Sequence, residues 1–97
     1  MDNPFKVLDD NCTKLYVVMD IICGYPEEFY YSYDEFDAKS QAHIAWNGLD
    51  EASKVDRKIR VYAYDIGDTS IDIDPEEVYW TYVCDNVPRS DLVLELR

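Results

Sequence analysis

Twenty-one Asp and Glu, three Cys and a single His are the side chains with which this chain of 97 residues could do acid–base, metal or nucleophilic chemistry. Their spacing decides which. The densest run, Asp65-Ile-Gly-Asp-Thr-Ser-Ile-Asp-Ile-Asp-Pro-Glu76, invites a calcium loop. Counted from Asp68, position 6 is Ile73, where the sharp turn needs glycine, and position 12 is Tyr79, where the ion needs a bidentate Glu. Counted from Asp65, Glu76 falls at position 12, but positions 3 and 5 become Gly67 and Thr69. The run is not an EF-hand, and an irregular divalent-cation site at 65–76 stays open as an alternative. His43 has no Cys or His near it in sequence, and Cys12, Cys23 and Cys84 have no paired spacing. Neither zinc nor a Cys–His nucleophile is indicated. Glycoside hydrolysis by two carboxylates needs a substrate cleft, for which so short a chain has little room. The expectation is a protein that is not an enzyme and uses no cofactor or metal.

What the carboxylates offer instead is placement. In an extended segment, residues i and i+2 face one side about 6.6 Å apart, from a rise of about 3.3 Å per residue. Asp72 and Asp74 in Ile71-Asp-Ile-Asp74 fit this, with Ile71 and Ile73 turned to the core. The interval is comparable to that between successive phosphates of an extended nucleic-acid backbone. Asp68, Glu76 and Glu77 extend this group, and Asp34, Glu35 and Asp37 form a second. Tyr30, Tyr31 and Tyr33 stand just before that second group. Tyrosine is enriched at binding hot spots because it is large, rigid and polar at one end. These eleven residues are the candidate partner-binding set. The competing reading is ordinary: a solvated acidic face kept for solubility, and tyrosines alternating across a two-faced sheet. For Tyr16 and Tyr62 that second reading is preferred.

The overall charge narrows the partner. The formal net charge is −12, with nine Lys and Arg of which only Lys54, Arg57, Lys58 and Arg60 cluster. Nucleic acids and anionic membranes are both bound through Lys and Arg, so neither is a direct ligand. A basic protein or nucleoprotein surface is the natural counterpart. An odd cysteine count suits a reducing cytoplasm better than a disulfide scaffold. The N-terminal residues lack the basic and apolar regions of a signal peptide, and no apolar run approaches the about 20 residues of a membrane span. A cytoplasmic protein is expected.

The elements that must position these residues read as one domain over 1–97. At 47% hydrophobic and 14% aromatic, the chain can bury a core despite its charge. Residues 12–22 are rich in β-branched side chains and predict a strand, Cys23-Gly-Tyr-Pro26 a turn, and 28–33 a second strand. Ser32-Tyr-Asp-Glu35 matches a capping box. It opens a helix over 34–54 with Phe36, Ile44, Ala45, Trp46, Leu49 and Ala52 as its apolar stripe, and Gly48 as a weak point or early end. Residues 57–66 alternate, with Ile59, Val61 and Ala63 on one side and Arg60, Tyr62 and Tyr64 on the other. A turn follows at 67–70. Asp74-Pro-Glu-Glu77 is a helix start, yet Val78-Tyr-Trp-Thr-Tyr-Val83 has strand propensity. The strand reading is slightly preferred over a second short helix near 75–85. A last strand covers 91–96. The fold class is α+β: a small, mainly antiparallel sheet of four to five strands packed against one long helix.

In size, charge and the placement of acids around 34–37 and 68–77, the chain resembles small acidic phage-encoded DNA mimics of the antirestriction and anti-CRISPR type. The best known of these are often more helical and carry longer acidic runs. The resemblance implies an inhibitor that binds a basic nucleic-acid-binding surface of a bacterial defence complex, a CRISPR-Cas effector or a restriction enzyme, and blocks target DNA in the host cytoplasm. An immunity protein against a basic nuclease toxin, or a small acidic adaptor subunit, are the alternatives.

Overall fold

The structure is a computed structural model that describes residues 13–67, 74–86 and 88–97. Strand β1 (Thr13–Ile22) and strand β2 (Tyr25–Ser32) form a hairpin closed by Cys23 and Gly24. Both turn residues have positive φ, 53° and 87°, as a two-residue turn matched to the sheet's twist requires. The turn is therefore shorter than Cys23–Pro26, and Tyr25 and Pro26 already belong to β2. Proline is tolerated there because β2 lies at the edge of the sheet. Asp20 pairs with Glu28 and Ile21 with Pro26, which leaves Glu27 as the extra residue of a bulge.

Strand β3 (Arg57–Gly67) and strand β4 (Ser90–Leu96) complete a four-stranded antiparallel sheet in the order β2-β1-β3-β4. Alternation sorts its side chains. Tyr16 and Val18 share one face with Ile59, Val61 and Ala63, while Leu15 and Val17 share the other with Tyr64 and Ile66. Two ion pairs lock neighbouring strands: Arg57 bonds Asp20 through two nitrogens at 2.9 and 3.0 Å, and Arg60 bonds its register partner Glu95 at 2.7 Å.

Helix α1 (Glu35–Asn47) covers the first face. Its buried side is Ala38 and Ala42, with Trp46 partly buried, at four-residue spacing. The stripe read from the sequence is thus mostly on the wrong side. Phe36 is 78% exposed and Ile44 63% exposed. Size explains the outcome: the helix sits close over Tyr16, Val18 and Val61, and alanine allows a closer approach than Phe or Ile. Gly48 ends the helix, and Asp50 then accepts from the Ser53 N–H at 2.7 Å, so the turns of 49–56 do not continue it. The start also differs from a capping box. Asp34 is the N-cap, accepting from the Phe36 N–H, while the Ser32 hydroxyl accepts from the Asp34 N–H at 3.0 Å.

A second helical segment covers the opposite face: α2 (Pro75–Val78), a π-helical turn (Tyr79–Val83) and α3 (Cys84–Asn86). Helix, not strand, wins over 75–86. Asp74 accepts from the N–H groups of Glu76 and Glu77, and Pro75 occupies the first helical position, so the start signal overrides the propensity of 78–83. The wider i→i+5 winding brings Val78 and Val83, five residues apart, onto the same buried side. Among the described residues, no helix is long and apolar enough to cross a membrane.

Candidate functional site

Strand β2 carries the candidate site because an edge strand contacts both covering helices while keeping one side open. Successive residues of β2 point to opposite faces. Tyr30 faces α1, and its hydroxyl donates to Asp37 Oδ2 at 2.8 Å. Tyr31 faces the second helical segment, where the Trp80 indole meets its hydroxyl and Glu76 lies near enough to act on its charge. Adjacent tyrosines therefore meet a carboxylate from each of two different helix starts. Both starts are acidic for the same reason: Glu35 and Asp37 in one first turn, and Glu76 and Glu77 in the other, are favoured by the helix dipole.

Between β2 and the second helical segment lies an open groove of about 620 Å³. Its rings are Phe29, Tyr31 and Trp80, Tyr30 also borders it, and its carboxylates are Glu27, Asp74 and Glu76. The rings form a connected cluster. Phe29 and Trp80 are parallel within 8° at 6.2 Å, Trp80 meets Tyr79 edge-on at 5.0 Å, and Tyr79 contacts Tyr31 at 5.1 Å and Tyr64 at 6.1 Å. Edge-on and offset aromatic pairs add about 0.5–1.5 kcal/mol each beyond their buried area. The groove wall is accordingly stiff.

Burial and nearby acids raise the hydroxyls of Tyr30, Tyr31, Tyr33 and Tyr64 above the ordinary tyrosine value. Burial pushes the Tyr64 hydroxyl up to about 12, with Tyr79 and Tyr62 beside it adding to the effect. Burial, then Glu76, raises Tyr31, and burial, then Asp74, raises Tyr33. The hydrogen bond to Asp37 is the main cause of the rise at Tyr30. On the acid side, Glu35 is lowered first by its bond to Lys39 at 2.7 Å, and Tyr16 also bonds it at 3.4 Å.

Tyr30, Tyr31, Asp74 and Glu76 of the expected set line this one groove, while Asp37 meets the Tyr30 hydroxyl on the side that α1 covers. Tyr33 lies within electrostatic reach of Asp74. Asp34 and Glu35 do not line the groove and are occupied by the cap and by Lys39. Glu77 is exposed on α2 but does not line the groove. Asp68 and Asp72 lie outside the described residues, as does half of the run read as an alternative cation site. Among the described residues, no group of three or more His, Cys, Asp or Glu is arranged to hold a metal ion. Tyr16 packs in the core and Tyr62 accepts from Arg60 at 3.2 Å, as expected of sheet residues.

Sequence reasoning missed Phe29, Glu27 and Trp80. Phe29 was within reach, because it shares a strand face with Tyr31 two residues on. Trp80 required the helical reading of 75–86. No protein-family model matches the chain, and neither a curated protein nor a solved structure matches it.

Proposed function

We propose that this chain is an inhibitor that docks onto a basic nucleic-acid-binding surface of a bacterial defence complex and excludes target DNA by mimicking its charge, with a CRISPR-Cas surveillance complex as the first target to test. One observation carries the reading. Two acidic helix starts flank a single edge strand, and the tyrosines of that strand stand between them. Lys39, Arg57, Arg60 and Arg97 already face carboxylates at 2.7–3.7 Å, so the excess acid is left for an external cation. A net charge of −12 steers a small body toward a Lys- and Arg-lined channel, and a channel filled with carboxylates offers no place for phosphates. Helix starts and a paired strand hold these groups in fixed positions, which limits the ordering cost of docking.

The test is a DNA gel shift with a purified surveillance complex, run with and without this protein. The expected result is loss of the complex's DNA band, no shift of DNA by this protein alone, and relief of inhibition as salt rises. A shift of DNA by this protein alone at micromolar concentration refutes mimicry. So does undiminished DNA binding by every complex tested, and capture of a basic nuclease instead would favour the immunity alternative.

A further inference from the structure

Trp80 is 54% exposed, although tryptophan is the most apolar area a small domain has to bury. Its ring is nevertheless fixed. One face lies parallel to Phe29, an edge meets Tyr79, and the indole reaches the Tyr31 hydroxyl. The exposed part of the ring borders the groove that Glu27, Asp74 and Glu76 also line. The π-helical turn produces this arrangement, since the winding that buries Val78 and Val83 sends Trp80 outward. Such turns recur at functional sites. An apolar ligand would leave the negative charge of the three carboxylates without a counter-charge, and a free anion would meet repulsion. A cation satisfies both walls.

We propose that the groove is a receptor for a guanidinium group, so that an arginine side chain of the partner lies flat on Trp80 while its N–H groups face the carboxylates. Arginine suits the site better than lysine because its planar head stacks on a ring and presents five donors in a fixed fork. Cation–π attraction is strongest for tryptophan among the aromatic side chains. This deepens the mimicry reading and depends on it only for the identity of the partner. The groove's chemistry stands by itself.

The probe is N-acetyl-arginine amide, titrated into 15N-labelled protein while the two indole N–H signals, from Trp46 and Trp80, are followed. The neutral citrulline analogue and N-acetyl-lysine amide run in parallel. The expected result is a saturable shift of the Trp80 signal with the arginine probe, a weaker one with lysine, none with citrulline, and a still Trp46. Glu27→Gln with Glu76→Gln, both exposed, should weaken the arginine response and leave the fold intact. Trp80→Ala should weaken capture of an inhibited partner about two- to thirty-fold. Equal shifts with citrulline or lysine, or none with arginine at tens of millimolar, overturn the proposal. If a partner is blocked equally well by Trp80→Ala, the guanidinium site fails while the inhibitor reading survives. If arginine binds but no defence complex loses DNA binding, the reverse holds.

Discussion

The rotation of α1 about its axis can be tested with two substitutions. Ala42 has no exposed surface and packs among Tyr16, Val18 and Ile59. Ala42→Leu adds three carbons to a filled site, and overpacking of this kind costs about 1–3 kcal/mol. In a domain near this size, each kcal/mol lowers Tm by about 4–8 °C, so the fall should reach at least about 4 °C. Phe36, by contrast, buries only about a fifth of its surface. Full burial of such a side chain is worth about 3 kcal/mol at most, so Phe36→Gln forfeits about 0.5 kcal/mol, partly offset by the better helix propensity of Gln. Its Tm should move by no more than about 4 °C. Thermal melts followed by circular dichroism, with urea midpoints as a check, give both numbers. If Phe36→Gln costs as much as Ala42→Leu, or Ala42→Leu costs nothing, the helix presents the other stripe to the sheet, and the Tyr30–Asp37 contact cannot stand as described.

Breaking the bidentate Arg57–Asp20 pair should also be felt, because hydrogen bonds to charged groups contribute about 1.5–3 kcal/mol; Asp20→Asn should lower the urea midpoint accordingly, and Arg57→Lys should not restore the second bond. Asp74→Ala removes the cap of the second helical segment at about 1 kcal/mol, and the Trp80 indole signal should shift with it while the Trp46 signal stays. Alkaline titration tests the tyrosine cluster. The folded chain holds Tyr64 neutral up to about 12 against an ordinary 10.0, so the stability this contributes is complete below pH 10 and is lost as pH climbs from 10 toward 12. Tyrosinate absorbance should therefore rise later in the folded protein than in urea, and superimposed curves would refute the buried placement.

The sheet was legible in the sequence because its strands obey the two simplest rules. Residues 57–66 alternate, and 12–22 are β-branched, so each found its place within a residue or two. The failures share a physical origin in competition between local and tertiary terms. At Phe36 and Ile44, hydrophobicity pointed inward, but close approach to the sheet selected alanine. At 78–83, strand propensity of well under 1 kcal/mol per residue yielded to an Asp cap and Pro75, and then to burial of Val78 and Val83. At Ser32, a capping box was present in letters, yet Asp34 stood nearer the first turn and took the role. The acidic half of the candidate site was visible as composition. Of its aromatic half, Tyr30 and Tyr31 were visible too, but the pairing of Phe29 with Trp80 was hidden, since it forms only through a π-helical turn that no periodicity announces.

An exposed sheet edge has to be protected from pairing with other chains, by proline, charge or a bulge. β2 has all three in one stretch: Pro26, Glu27 as the bulged residue, and Glu28. Glu27 also lines the groove, beside Phe29, Tyr30 and Tyr31 of the same strand. The residues that keep another strand away are therefore continuous with those that would receive a cation. This explains why a pair of acids stands directly before three aromatic residues there, when either type alone would do for solubility or for packing. A strand edge closed to other β-strands and lined with carboxylates admits one kind of visitor readily: a side chain that is long, flat and positively charged.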